Sequence, residues 1–287
     1  QMEQQAETQA AQAAETQTAQ AAQIQTALAT EKVVVYPREK LNDFDYLIQN
    51  FYQVDSTTTI NSSQLNADAL LGKDLRLSHD ASTPQILIYH THSQEGYADS
   101  VPGDASTSVV GVGDYLTKLL TEQYGFNVIH HKGEYDVGDR DHAYSKAGPG
   151  LEAVLAENPG VEAVIDLHRD GVAESTRLVT QVNGIQMAQV MFFNGLSRTT
   201  AMGDIDYLYN PYIADNLAIS FQMQLKAAEY YPGFTRRIYL KGYRYNMHYC
   251  PKTLLIEVGA QTNTVSEAMN AMVPLADLLN KVLTAQR

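Results

Sequence analysis

Hydrophobic and polar positions change rhythm near Pro84. Residues 1–30 are dominated by Gln and Ala and have almost no apolar face to bury, so they read as a low-complexity spacer. Residues 31–84 are polar and turn-rich and read as a linker or N-terminal extension, with one short helix over 43–52. From residue 85 the pattern becomes that of a packed domain running to residue 287. Ile86-Leu87-Ile88-Tyr89 is a continuous apolar run leading into His90, as in a strand buried on both faces. Val109, Val112, Leu116, Leu119 and Leu120 form one stripe of a helix over 107–123, which Gly125 stops. A second strand is predicted over 126–130, a helix around 150–157 and a third strand over 161–168. Strand, helix, strand, helix, strand implies parallel pairing with right-handed crossovers.

The second half adds a hairpin. Residues 178–182 and 185–193 flank Asn183-Gly184, a strong two-residue turn signal. A long amphipathic helix over about 211–230, short strands over 237–240 and 253–258, and a last helix over 265–285 complete the pattern. The expected fold is an α/β domain of three layers, with a mixed, mainly parallel sheet flanked by helices.

Three apolar strands end in residues able to bind metal or move protons. The first runs into His90-Thr91-His92-Ser93-Gln94-Glu95, the third into Asp166-Leu167-His168-Arg169-Asp170, and a late one carries Glu257. Ligands of open α/β sheets bind outside the carboxyl ends of the strands, so the three groups are expected along one edge. Two imidazoles and a carboxylate are the usual donors of a catalytic zinc that keeps a fourth position open. A further carboxylate must then carry the proton from water to the leaving amine, and Glu257 suits that role. His90, Glu95 and His168 are the preferred ligands. His92 is the reserve third ligand, because on an extended chain it faces the same side as His90.

Each choice has a plainer reading. A lone strand-end histidine is more often a hydrogen-bonded structural residue, Glu95 a solvated loop carboxylate, and Glu257 a salt-bridged one. Asp166 or Asp170 could orient His168, although a turn aspartate is the commoner case. His130 and His131 read as surface residues. Nothing fixes the side of His248. Cys250, the sole cysteine, reads as a packed thiol, and it leaves no disulfide or multi-thiolate zinc site within the chain.

These segments resemble the stage II sporulation protein P family. The resemblance runs from about Gln85 to Leu283. It includes the His90–Glu95 and Asp166–Asp170 segments, Asn210-Pro211, Tyr231-Pro232-Gly233 to Arg237-Ile238, Arg244-Tyr245-Asn246, and Leu255–Gly259 with Asn263-Thr264. It implies a catalytic domain similar to the zinc N-acetylmuramoyl-L-alanine amidases. The implied reaction cuts the amide between N-acetylmuramic acid and L-alanine, with a second cut of stem-peptide cross-links. The implied setting is engulfment during sporulation, outside the cytoplasmic membrane, with stage II sporulation proteins D and M as partners. By the same resemblance His90 and His168 carry over as ligands and Glu257 as the catalytic carboxylate. The broader amidase group takes its ligand glutamate from the start of the helix after the first strand. Here that start reads Ser106-Thr107-Ser108-Val109, and Glu95 is the substitute.

Charge and hydropathy narrow the alternatives. Twenty basic against 33 acidic residues give a net charge of −13, which offers nucleic acid or an anionic membrane surface no attraction. No apolar run is long enough to span a bilayer. The chain starts at Gln1 without a basic, apolar leader, which suggests that an N-terminal segment, the family's membrane anchor, has been removed. The competing functions are a non-catalytic wall-binding or scaffold module and a different metallohydrolase. The latter usually needs eight strand–helix units and more strand-end His and Asp than occur here.

Overall fold

The computed structural model describes residues 33–284, with Ala19 and Ala22 besides. The spacer expected over residues 1–30 otherwise lies outside the described residues. After a one-turn helix at Arg38–Leu41 come α1 (Phe44–Phe51), β1 (Tyr52–Val54) and α2 (Ala67–Gly72). Next are β2 (Ile86–Tyr89), α3 (Val109–Glu122), β3 (Val128–His130), α4 (Ala143–Glu157) and β4 (Ala163–Asp170). The hairpin is β5 (Val179–Val182) and β6 (Ile185–Ala188), followed by β7 (Val190–Gly195). The last elements are α5 (Ile213–Tyr230), β8 (Ile238–Lys241), β9 (Lys252–Ala260) and α6 (Val265–Thr284).

Seven strands form one sheet in the order β1-β8-β7-β9-β4-β2-β3. Every pairing is parallel except β9 with β7, so the sheet is mixed and mainly parallel. Helices α3, α5 and α6 bury one face in a large core, to which the strands contribute Ile86, Ile88, Ile165, Leu167, Ile256 and Val258. Helix α4 covers part of the other face, where Leu87, Tyr89 and Val164 meet Ala147 and Leu151. The expected three-layer α/β architecture is the one present.

Local chemistry explains most boundaries. Asp43 and Asn66 cap α1 and α2 by accepting from Tyr46 N at 3.1 Å and Ala69 N at 2.9 Å. Asn183 and Gly184 both have positive φ, 55° and 77°, as a two-residue hairpin turn of the favoured hand requires.

Two expectations change. Residues 31–84 do not stand apart from the domain: β1 is an edge strand of the same sheet, and Leu41, Leu47, Phe51 and Tyr52 lie in the main core. The helix expected around 150–157 begins at Ala143 and carries Pro149 inside it. A proline removes one backbone donor and its bond without ending every helix.

Candidate functional site

Pleat parity decides which strand-end residues meet. Tyr89 is in register with Asp166, and His168 with Glu257. Asp166, His168 and Glu257 therefore lie on the α4 face, because alternate residues of a strand share a face. His90, one residue past Tyr89, falls on the α3 face with Leu167. Its Nδ1 donates to the Leu167 carbonyl at 2.7 Å, and its Nε2 is 2.8 Å from His130 Nε2. His130 Nδ1 in turn lies 2.8 Å from Asp114 Oδ1. Burial, with His130 alongside, pushes the His90 imidazole down to about 3, so it is neutral. The expected partnership of His90 with His168 is not formed.

His92 reaches His168 instead. The chain leaves the extended conformation after Tyr89 and turns through residues 91–94. The Asp166 carboxylate fixes this turn by accepting from Thr91 N at 2.9 Å and Thr91 Oγ1 at 2.7 Å. The turn reverses the facing that an extended chain would give, and the ring centroids of His92 and His168 stand 5.4 Å apart.

Glu95 joins them. It is 3 % exposed, and its Oε2 lies 3.5 Å from His168 Nδ1. The carboxylate also accepts from Arg169 N at 3.0 Å and from Arg140 Nη2 at 2.6 Å. Burial opposes its charge, but His168, Arg140 and the Arg169 amide outweigh burial and hold it at about 2. His168 sits between two carboxylates, with Nε2 2.7 Å from Asp166 Oδ1. Burial disfavours the imidazolium, yet Asp166 and Glu95 raise its pKa well above the ordinary value.

Glu257 is different. Its Oε2 is buried without a hydrogen-bond partner, and burial pushes its pKa up to about 8. A carboxyl poised near neutrality is suited to accepting and returning a proton.

Tyr144, at the start of α4, completes the wall. Its ring stacks on His168 at 6.4 Å and 18° and meets His92 edge-on at 5.6 Å. Sequence reasoning missed Tyr144 and Arg140, which carry no motif and arrive through the early start of α4 and the turn before it.

The donors fit a zinc ion in kind, two imidazoles and a carboxylate. His92 Nδ1 is buried without a hydrogen bond, with Asp136 Oδ2 3.7 Å away, and His168 Nε2 lies 2.7 Å from Asp166 Oδ1 but out of line for a hydrogen bond. In spacing they are not closed: among the described residues no group of three or more His, Cys, Asp or Glu side chains is set to hold an ion. Arg140 and the Arg169 amide draw Glu95 aside, so coordination requires side-chain rotation.

The remaining candidates are occupied elsewhere. Asp170 pairs with Arg236 Nη2 at 2.6 Å. The Arg169 side chain donates to the Gly96 carbonyl at 3.0 Å. His131 bonds to the Tyr135 hydroxyl at 2.6 Å, and His248 packs on Tyr249 at 3.9 Å. Cys250 is buried, its Sγ donates to the Glu162 carbonyl at 3.0 Å, and burial pushes the thiol up to about 11.

A family model described as stage II sporulation protein P matches residues 1–280. Stage II sporulation protein P of Bacillus subtilis (strain 168) is 23% identical over 216 residues, covering 69% of this chain and 50% of that protein. The chain thus spans about half the length of this curated relative. Among solved structures, the CwlD amidase of Clostridioides difficile, in complex with the GerS lipoprotein, is 14% identical at a TM-score of 0.42. That match covers 70% of this chain and 100% of CwlD. The catalytic domain of CwlV, an N-acetylmuramoyl-L-alanine amidase from Bacillus (Paenibacillus) polymyxa var. colistinus, is 11% identical at a TM-score of 0.39, covering 69% and 97%. Ami1 of Mycobacterium smegmatis, an N-acetylmuramyl-L-alanine amidase, is 13% identical at a TM-score of 0.40, covering 71% and 96%.

Proposed function

Because the chain belongs to the stage II sporulation protein P family, we propose that it is a zinc-dependent peptidoglycan hydrolase that cuts the amide between N-acetylmuramic acid and L-alanine. The observation that carries the proposal is the meeting of His92, Glu95 and His168 with an unpartnered Glu257 on one face of the sheet. His92, Glu95 and His168 would hold the metal. When bound, zinc supplies a Lewis acid for the scissile carbonyl and lowers the pKa of its water to about 7.

The chain's own residues do the rest. Glu257 accepts a proton at Oε2 and returns it to the leaving amine, a role worth roughly 10²–10⁴ in rate. Asp166 and the Thr91 turn fix the positions of His168 and His92. Tyr144 shields the two imidazoles from water. His168, Arg140 and the Arg169 amide keep Glu95 ionised.

The same reading extends, by family resemblance, to a second cut of stem-peptide cross-links. It also extends to engulfment during sporulation, with stage II sporulation proteins D and M as partners, at the outer face of the cytoplasmic membrane. The anchor belongs to that proposal. No helix among the described residues is long and apolar enough to cross a membrane.

Digestion of purified peptidoglycan by the zinc-loaded protein, with mass analysis of the products, tests the reading. Free stem peptides from wild type and none from Glu257→Gln are expected. Hydrolysis by Glu257→Gln at the wild-type rate would remove Glu257 from the mechanism, and intact wall after wild-type treatment would remove the activity.

A further inference from the structure

The rings of the site continue beyond it. Tyr144, stacked on His168, meets Tyr245 at 5.2 Å; Tyr245 meets Phe193 at 4.8 Å; Phe193 meets Tyr239 at 5.7 Å. This aromatic floor runs across β7 and β8 on the face that α4 covers elsewhere. Helix α5 packs against the opposite face of these strands, while here Gln53 and Arg237 are exposed and Tyr239 is half-buried. Parallel strands are ordinarily covered on both faces, so an open face beside a candidate active site calls for an occupant.

A cleft of about 390 Å³ opens where the floor meets the site, walled by Tyr144, Tyr243, Arg244, Tyr245 and Asn246. Tyr243 is 54% exposed. Asn246 Nδ2 donates to the Tyr144 carbonyl at 2.8 Å, which ties the two walls together. Arg244 Nη1 donates to the Tyr209 carbonyl at 3.1 Å, and its Nε is buried with no partner. Tyr245 and Asn246 both hold left-handed backbone, φ 50° and 54°. Gly195 lets this turn approach the sheet, since a Cβ there would lie 2.3 Å from the Tyr243 carbonyl oxygen. Left-handed backbone is strained at a residue such as Tyr245, and such strain clusters at ligand clamps.

We propose that this cleft is a sugar-binding subsite that holds the glycan strand of the substrate beside His168, with pyranose rings stacked on Tyr243 and Tyr245. The proposal rests on the peptidoglycan reading above and adds which part of the substrate lies on which residues. A pyranose ring has an apolar C–H face and a rim of hydroxyl and acetamide groups. The cleft offers aromatic faces for the first and the planar side chains of Arg244 and Asn246 for the second. A peptide occupant would use a free strand edge or an enclosed side-chain pocket, and the cleft walls are ring faces from a turn and a helix start.

The test is titration of the full chain with an N-acetylglucosamine oligomer, read by calorimetry, for wild type, Tyr243→Ala and Tyr243→Phe. Saturable binding by wild type is expected, with Kd raised about tenfold by Tyr243→Ala and restored by Tyr243→Phe. Little dependence on salt is expected, because the stacking partner is uncharged. Equal affinity of wild type and Tyr243→Ala, failure of Tyr243→Phe to restore binding, steep salt dependence, or no saturable binding at millimolar sugar would each overturn the proposal. No turnover is needed, so failure of amide hydrolysis and failure of sugar binding are read separately.

Discussion

His90 donates from Nδ1 to the Leu167 carbonyl at 2.7 Å, one residue before His168 and on the other face of the sheet. A histidine that sequence alone puts beside His168 instead braces the strand that carries it. Its far nitrogen meets His130 at 2.8 Å, and His130 leads on to Asp114. Removing the ring would take away the imidazole donor to the Leu167 carbonyl and the partner of His130 Nε2, at about 1–3 kcal/mol. His90→Ala is therefore expected to lower the Tm by several degrees, and His92→Ala to change it little. Thermal unfolding of the two variants checks this; an unchanged Tm in His90→Ala would contradict the bracing role.

Glu257 should cost the metal-free protein stability. Its folded pKa of about 8 lies above the ordinary carboxyl value of 4.5, so between these values the native state binds more protons than the unfolded state. The contribution of Glu257 is thus most favourable below about pH 4.5 and is lost as pH rises toward 8. Glu257→Gln is expected to stabilise the metal-free protein at pH 8 by about 1–3 kcal/mol while abolishing turnover. Denaturant unfolding at pH 5 and pH 8 measures this, and a stability gain that does not grow with pH would contradict it.

Glu162 titrates in the opposite sense. Its carboxylate accepts from Ser78 N at 2.7 Å and His79 N at 2.8 Å and pairs with Lys252 Nζ at 3.1 Å, joining the segment before β2 to β9. Burial works against its charge, but these donors prevail and hold it at about 2. Its stabilisation is complete above about pH 4.5 and is lost as pH falls toward 2. Glu162→Gln should cost roughly 1–3 kcal/mol at pH 7, a difference that shrinks toward zero in acid. A difference independent of pH, measured by denaturant unfolding, would contradict this.

Most of the fold was legible because its core strands are continuous apolar runs and its main helices carry clean apolar stripes. The apolar run at Ile86–Tyr89, the stripe on α3 and the Asn183-Gly184 turn each appear where periodicity and turn chemistry put them. Strand β1 was hidden because three residues at a sheet edge carry no period. The early start of α4 was masked by Gly148-Pro149-Gly150, which reads as a break. At the site, the strand-end positions of His168 and Glu257 were legible. The choice between His90 and His92 was not, because it depends on where the strand stops. Ending β2 at Tyr89 puts His90 on the core face and sends His92 back across the sheet through the turn that Asp166 fixes.

Zinc content by native mass spectrometry, after zinc loading and removal of excess metal, tests the assignment of the site most directly. His90→Asn is the suitable comparison, because its amide can still donate toward the Leu167 carbonyl. One zinc per chain is expected for wild type and His90→Asn, and none for His92→Ala or His168→Ala. Zinc retained by His92→Ala and lost by His90→Asn would contradict the account and return His90 to the metal.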